Sequence, residues 1–411
     1  MPRSGNPLTA APAVLYVQPF GGRFFRYPDL RSDALPHGLA KYTAAGRLLG
    51  RPTAHTQGQR IIHLPNRALT VQGMNSLHPC WKRKGQRTME CIFFTGNSNT
   101  WGQGADGVWE SFSPPPVAGD HRPVPFGYDS FVNLFRRKQN AQTGSRCREY
   151  DAAALHLKPA RELSFAVEGA LLRLFIRRGP ASGRVQVSVD GRTLAVLDAW
   201  SPPADNPVCW YGFRLEQDGP HRIELTCLDE GTVDFYRLES YTGSRAVVNA
   251  AVGSCPSDRY LSEYWPAVRE LLRPGDGVVL PFAINCWIHQ LPLSRFEDNL
   301  RRMAAAAQER GARAAIMTLA PVLEEQYIGS SGIPYRAYNQ SARTLAAAMG
   351  LPLIDAEAGF DRALDGQEEP ARREKAYRDK WHVNSWGHRL YAQCIEPVSY
   401  THLTPFFHSE L

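Results

Sequence analysis

The sequence contains no run of about 18 apolar residues, the length that a membrane-spanning helix requires. Its eight cysteines include no Cys-x-x-Cys pair, and no group of cysteines and histidines has the spacing of a zinc site. Basic residues occur singly or in short clusters such as Lys82-Arg83-Lys84, although the formal net charge is +7. We therefore expect no membrane span, no zinc domain and no nucleic-acid partner.

The N-terminus also lacks the profile of a secretory signal peptide. The apolar run 10–16 is interrupted by Pro12, and no convincing cleavage site follows it. Scattered cysteines without a pairing pattern are typical of a reducing compartment. These features favour a cytoplasmic protein, with export as the alternative if the N-terminus is not the native one. The sequence predicts no particular oligomeric state.

Two parts of the chain show no regular pattern. Among the 411 residues, 43% are apolar and 21% charged, which is typical of a globular protein long enough for two cores. Residues 1–87 have no sustained hydrophobic period, so we expect a poorly organised segment there. Residues 398–411 continue no pattern and are interpreted as a non-native tail.

Residues 88–150 and 245–397 alternate between strand and helix patterns. This alternation predicts an α/β domain with three layers, in which helices cover both faces of a parallel sheet. Pro266 lies inside one predicted helix and is expected to kink it. The predicted strands are 89–94, 246–252, 277–284, 312–319 and 353–354, and the predicted helices are 128–138, 257–272, 293–310, 336–349 and 385–394.

Residues 151–244 have a different pattern, with about seven short runs that often alternate apolar and polar residues. Asp190-Gly191 separates two of these runs and is a strong signal for a two-residue hairpin turn. The region predicts an antiparallel β-sandwich of the jelly-roll type. It would be inserted between the first and second strands of the parallel sheet.

Residues that could take part in catalysis follow the predicted parallel strands. Ser98 comes after the first strand, Gly253 after the second and Asn285 after the third. Ligands of such sheets bind beyond the carboxyl ends of the strands. Near the C-terminus, Asp379 lies three residues before His382, and a carboxylate so placed can hold an imidazole in one tautomer.

These segments resemble the SGNH hydrolases, also called GDSL esterases and lipases. The four blocks of that family are a Gly-Asp-Ser turn, a glycine, a Gly-x-Asn-Asp turn and an Asp-x-x-His motif, and they occur here in that order. The resemblance covers residues 88–110 and 245–395 and implies an SGNH-like α/β fold. Its last block is the most specific, and the lone glycine is the weakest.

The resemblance also implies a role for each residue. Ser98 would be the nucleophile, His382 the general base and Asp379 the group that orients His382. The backbone N–H groups of Ser98 and Gly253 and the side-chain amide of Asn285 would form the oxyanion hole. Neither a metal nor a cofactor is expected. Each of these residues also has a plain structural alternative, as a turn or helix-capping residue or, for His382, a surface histidine.

Three positions depart from the family pattern. Asn97 replaces the usual aspartate of the serine turn, Cys286 replaces the aspartate that follows Asn285, and Ala283 replaces a glycine. Asn97 can keep a turn-stabilising hydrogen bond, because asparagine tolerates the same backbone conformations. These changes affect the expected rate and loop geometry more than the expected fold.

Ser254 is an alternative nucleophile, and it would make residues 245–395 the whole catalytic domain. Only one predicted helix separates Ser254 from the Asn285 turn. The family places a further strand–helix unit between its serine turn and its asparagine turn. Ser98 leaves room for that unit, so the strand count favours Ser98.

The resemblance, together with the inserted sandwich, favours a carbohydrate esterase that removes acetyl or other short acyl groups. The expected partner is thus a small-molecule or saccharide ester. Trp101, Trp287 and His289 are candidates for binding it, since tryptophan can offer a face to a sugar ring. The alternatives are a lipase- or thioesterase-like acyl hydrolase and a carbohydrate-binding protein whose hydrolase site has decayed.

Overall fold

The computed structural model describes residues 89–105, 130–157, 162–201, 208–323, 332–398 and 402. Most of the segment 1–87, predicted to be poorly organised, lies outside the described residues; only the backbone of five short strands is described there. These are β1 (Val14–Val17), β2 (Phe24–Phe25), β3 (Ala40–Thr43), β4 (Leu48–Leu49) and β5 (Ile61–His63).

The middle of the chain contains one strand, two helices and then a series of eight strands. They are β6 (Glu90–Phe94), α1 (Ser98–Trp101), α2 (Phe131–Thr143), β7 (Arg146–Leu157), β8 (Glu162–Glu168), β9 (Leu171–Arg177), β10 (Arg184–Val189), β11 (Arg192–Asp198), β12 (Val208–Arg214), β13 (Pro220–Cys227) and β14 (Val233–Thr242).

Strands and helices then alternate to the end of the described chain. They are β15 (Arg245–Asn249), α3 (Ser257–Arg259), a π-helical turn (Tyr260–Tyr264), α4 (Trp265–Leu271), β16 (Gly277–Leu280), α5 (Ile284–Ile288), α6 (Leu293–Glu309), β17 (Arg313–Met317), α7 (Tyr335–Met349), β18 (Leu353–Ile354), α8 (Ala356–Ala363), α9 (Glu369–Ala376) and α10 (Ser385–Val398).

A parallel sheet of five strands carries the α/β part, in the order β15-β6-β16-β17-β18. Its strands are almost entirely apolar and buried, as expected for a parallel sheet covered by helices. One group of helices consists of α2, α8, α9 and α10, and a second consists of α3 to α7. The prediction of an α/β fold with a parallel sheet is confirmed.

The predicted helix 257–272 is divided by the π-helical turn. At the end of this turn, the N–H of Trp265 donates to the carbonyl of Tyr260, five residues earlier. Pro266 follows at the start of α4. Because proline has no N–H and its ring clashes with the carbonyl four residues back, the ordinary helical pattern cannot continue through this point.

Two mainly antiparallel sheets contain the strands between β6 and β15, and one of them also includes β5. Their orders are β5-β11-β10-β13-β8, in which β5 joins in parallel, and β12-β9-β14-β7. Apolar side chains from both sheets form one buried cluster, separate from the cluster around the parallel sheet. The predicted boundary between residues 150 and 151 is wrong, because it falls inside β7, which begins at Arg146.

The hairpin predicted at Asp190-Gly191 is confirmed. Val189 of β10 pairs with Arg192 of β11, which leaves a loop of two residues. Both loop residues have positive φ, +51° for Asp190 and +74° for Gly191. A type I′ turn requires this conformation at both positions, and aspartate followed by glycine adopts it at the least cost.

The antiparallel sheets join the α/β part at the amino ends of the parallel strands. Arg214 of β12 forms a buried ion pair with Asp276, which directly precedes β16. Its guanidinium also donates to the carbonyls of Leu271 (2.8 Å) and Met89 (3.1 Å). The contacts therefore lie at the end of the sheet opposite to Ser98.

Candidate active site

Ser98 lies on a short helix directly after β6. The turn before it needs Gly96, whose φ is +108° and where a Cβ would lie 2.7 Å from the hydroxyl oxygen of Thr100. Asn97 caps the helix, since its Oδ1 accepts the N–H of Asn99 at 3.2 Å. Ser98 is the first residue of α1 and is 4% exposed.

The structure brings together three of the predicted residues, although Ser98 and His382 are 284 positions apart. The Nε2 atom of His382 lies 3.1 Å from Ser98 Oγ, and its Nδ1 lies 2.7 Å from Asp379 Oδ2. The other carboxylate oxygen of Asp379 accepts the backbone N–H groups of Trp381 and His382. A local turn thus holds the carboxylate against the imidazole.

The hydrogen-bond partners of His382 determine which of its ring nitrogens carries the proton. Burial alone would raise the pKa of Asp379, but the hydrogen bond and charge of His382 and two backbone N–H groups outweigh it and hold this pKa below its usual value. An ionised carboxylate can only accept, so Nδ1 of His382 carries the proton. Its Nε2 is then free to accept the hydroxyl proton of Ser98.

The three predicted oxyanion donors are not engaged by other groups of the described chain. The N–H groups of Ser98 and Gly253 and the amide of Asn285 make no hydrogen bond within these residues. The Oδ1 of Asn285 is buried without a partner. The N–H of Val252 donates to the carbonyl of Gly96 at 3.0 Å, which fixes the Gly253 turn beside the serine turn.

The departures from the family pattern have local explanations. Ala283 has φ −103°, a value that any residue adopts, so a glycine is not required there. The thiol of Cys286 accepts the N–H of Ser257 at 3.3 Å. Burial raises the pKa of Cys286 to about 12, so its side chain is neutral.

The candidates for substrate binding have different environments. Trp101 ends α1 and is partly exposed, and His289 is exposed after α5. The prediction for Trp287 is wrong, because this residue is 0% exposed and packs edge-on against Tyr335. It has no open face for a sugar ring. Ser254 is exposed with φ +51°, and it is Ser98 that faces the imidazole.

Several residues around the site were not identified from the sequence. Asn99 donates from Nδ2 to the carbonyl of Trp381 at 3.2 Å, and Asn249 donates to the carbonyl of Thr100 at 3.0 Å. His388, predicted to be structural, is fully buried and bridges the N–H of Phe131 and the carbonyl of Gln103. The only sequence signal for Asn99 and Asn249 is a polar side chain at the end of a buried strand or beside a candidate nucleophile.

The described ranges lack two further kinds of feature. No group of three or more histidine, cysteine, aspartate or glutamate side chains is arranged as a metal site within them. None of the helices in these ranges combines the length and the apolar character needed to cross a bilayer.

Comparison with known proteins gives a family and several distant structural likenesses. No curated protein matches the chain. Among solved structures, a peptidoglycan O-acetylesterase is 13% identical over 76% of this chain and 91% of its own, with a TM-score of 0.47. An α/β hydrolase enzyme from the metagenome of Lake Arreo, Spain, is 12% identical over 77% and 98%, with a TM-score of 0.39. An acetyl xylan esterase, AlAXEase, is 19% identical over 38% and 82%, with a TM-score of 0.33.

The family match covers residues 227–390, with the description GDSL-like Lipase/Acylhydrolase family. This segment contains Gly253, Asn285, Asp379 and His382, whereas Ser98 lies before it. Ser98, Gly253, Asn285, Asp379 and His382 follow one another along the chain in the order that the resemblance implies. Residues 227–390 are thus similar to the GDSL-like lipase/acylhydrolase family, and this similarity supports a carboxylic ester hydrolase.

Proposed function

We propose that this chain hydrolyses esters through an acyl-Ser98 intermediate and removes acetyl or other short acyl groups from a carbohydrate. The observation that carries the proposal is the continuous line of hydrogen bonds from Ser98 through His382 to Asp379, with distances of 3.1 and 2.7 Å. A serine hydroxyl is a weak nucleophile until a base takes its proton, and His382 is in position to do so.

In the proposed acylation step, Ser98 Oγ forms a bond to the ester carbonyl carbon while His382 Nε2 takes the hydroxyl proton. The carbonyl π electrons move to its oxygen, which would be stabilised by the N–H groups of Ser98 and Gly253 and the amide of Asn285. Each such donor contributes about 100- to 1000-fold to the rate. Collapse of the intermediate breaks the bond to the alcohol oxygen, and His382 returns the proton to the departing alcohol.

In the proposed deacylation step, water replaces the alcohol. His382 takes a proton from water as its oxygen bonds to the acyl carbon, and the same three donors stabilise the new oxyanion. The bond to Ser98 Oγ then breaks, the carboxylic acid leaves, and the proton goes back to the serine. The negative charge of Asp379 stabilises the imidazolium that forms in both steps.

The saccharide part of the proposal has less direct support. By the family resemblance, a β-sandwich beside the catalytic domain favours a carbohydrate esterase. We infer that β7 to β14 form this sandwich, because apolar side chains of both antiparallel sheets share one buried cluster. We also infer that the two groups of helices are the outer layers of a three-layer α/β/α domain. Trp101, partly exposed at the end of α1, is a candidate surface for a sugar ring.

The nucleophile is tested by comparing the Ser98→Ala and Ser254→Ala variants on a chromogenic acetate ester. We expect the first to lose almost all turnover and the second to keep it. A fluorophosphonate probe should label the wild-type protein and Ser254→Ala but not Ser98→Ala. If only Ser254→Ala abolishes turnover and labelling, Ser98 is not the nucleophile.

The substrate class is tested with acetylated saccharides against esters of longer acyl chains. We expect a higher kcat/KM for the acetylated saccharides. A preference for long acyl chains would instead support a lipase- or thioesterase-like enzyme. Saccharide binding without turnover or probe labelling would support a binding protein with a decayed site.

A further inference from the structure

Two adjacent residues of α1 pair with two adjacent residues of the segment 379–382, here called the histidine loop. Ser98 Oγ lies 3.1 Å from His382 Nε2, and the next residue, Asn99, donates from Nδ2 to the carbonyl oxygen of Trp381 at 3.2 Å. Both bonds cross more than 280 positions of sequence. The dipeptide 98–99 is therefore held alongside the dipeptide 381–382 at two points.

Only one of these two bonds can persist through a reaction cycle of the proposed kind. The bond between Ser98 and His382 is broken whenever the serine attacks, because its proton moves to the imidazole. The bond from Asn99 to the Trp381 carbonyl involves no reacting atom. It can therefore hold the imidazole in register while the serine is acylated and its hydroxyl is absent.

The two ends of the Asn99 link are each fixed by other contacts. On one side, Asn97 caps α1, and Asn249 of β15 holds the carbonyl of Thr100 at 3.0 Å. On the other side, Asp379 Oδ1 accepts the N–H of Trp381 at 2.7 Å, which fixes the turn before His382. A bond between two segments that are each fixed by further hydrogen bonds sets their separation.

Burial strengthens the hydrogen bond from Asn99 to the Trp381 carbonyl. Asn99 is 2% exposed, so water competes little with its amide. Loss of the donor would leave the Trp381 carbonyl with one partner fewer, and the loop would be freer to shift relative to α1. A displacement of about 1 Å between reacting groups can cost about 100-fold in rate.

We propose that Asn99 is a positioning residue, which holds His382 in line with Ser98 by binding the carbonyl of Trp381. This role rests on the proposed function of Ser98 and His382. It concerns the rate of the chemical steps and not the binding of the ester.

The test uses the full chain carrying Asn99→Leu, which removes the donor at nearly constant size. Activity is measured on a chromogenic acetate ester and divided by the number of serines titrated with a fluorophosphonate. We expect kcat per titrated serine to fall about 10- to 100-fold, with KM within about twofold of the wild-type value. The rate of serine labelling should fall by a similar factor.

A matched control is Asn339→Leu. Asn339 is also fully buried, and its Nδ2 donates to the carbonyl of Leu319 at 2.9 Å, outside the Ser98–His382 contact. This variant should lower the melting temperature and leave kcat per titrated serine unchanged. Should Asn99→Leu fail to fold, Asn99→Ala removes the donor without adding volume or charge, and the same fall in kcat is expected.

An unchanged kcat per titrated serine in a folded Asn99 variant overturns the positioning role, even if the melting temperature falls. An equal loss of kcat in Asn339→Leu also overturns it, since any buried amide would then have the same effect. Full activity in Ser98→Ala is a different result, which overturns the proposed nucleophile and the positioning role together.

Discussion

Replacement of Arg214 by methionine should strongly destabilise the protein. Arg214 makes an ion pair with Asp276 and donates to two backbone carbonyls, and both charged side chains are buried. Methionine keeps most of the volume but leaves the Asp276 carboxylate, in a residue 1% exposed, without its cation. Removing one partner of a buried ion pair costs about 3–5 kcal/mol, so we expect a loss of that size in the free energy of unfolding.

The loss should depend on pH in a defined direction. Burial raises the pKa of Asp276 above its usual value, although Arg214 and the N–H groups of Cys91 and Arg273 oppose this shift. Without Arg214 the pKa rises further, so the folded variant retains a proton that the unfolded chain has released. Its stability is then present at low pH and lost as pH rises through the folded-state pKa. The deficit relative to wild type should be smaller at pH 5 than at pH 8.

Urea unfolding followed by circular dichroism at both pH values measures these effects. The double variant Arg214→Met/Asp276→Asn is the matched control, because it removes both charges, and it should recover much of the lost stability. A loss below about 1 kcal/mol would refute the reasoning, since it would mean that the carboxylate tolerates burial alone. A deficit that shrinks as pH rises, or a double variant no more stable than the single one, would refute it equally.

Two further predictions concern buried groups near the site. Burial lowers the pKa of His388 to about 4, so below about pH 6.5 the unfolded chain binds a proton that the folded chain does not bind. The free energy of unfolding, measured by urea unfolding, should therefore fall by about 3 kcal/mol between pH 6.5 and pH 4. It should fall by clearly less in His388→Gln. Burial raises the pKa of Cys286 to about 12, so this thiol should resist iodoacetamide at pH 8 until urea unfolds the protein; peptide mass spectrometry that finds Cys286 modified at the rate of a free thiol would contradict this.

Local pattern was sufficient to predict most of the strands. All seven runs identified in the middle region correspond to strands, and Asp190-Gly191 marked its hairpin, because alternation and turn chemistry are properties of neighbouring residues. In this region the strand that was missed is β7, which begins with the mainly polar run 146–151, where there is no clear alternation. Among the helices, α5 is only five residues long, too short for a helical period to be recognised.

The prediction of the last helices contained two other kinds of error. Helix α8 was not predicted, although Asp355 is a capping signal for it. The side chain of Asp355 accepts the N–H of Ala358 at the start of this helix. The final helix continues to Val398, four residues beyond its predicted end, and passes through Pro397. The first residue of the predicted tail therefore belongs to a helix, and the rest of that tail, apart from His402, lies outside the described residues.

The candidate site was predictable where its chemistry is local and not where it depends on packing. Asp379 and His382 are three residues apart, so their pairing is visible in the sequence. The contact between Asn99 and Trp381 joins residues 282 positions apart and leaves no local signal. Trp287 was misjudged for the same reason, since its packing partner Tyr335 lies in a different helix.

Because the antiparallel sheets are attached at the amino ends of the parallel strands, they can be altered separately from the residues around Ser98. Substitutions in the hairpins of these sheets should therefore leave the surroundings of Ser98 unchanged. A combinatorial library built on β10 and β11 would thus test whether these sheets bind the substrate, with the residues around Ser98 held constant. Substitutions at Arg214 are the exception, because this side chain crosses the seam between the two halves.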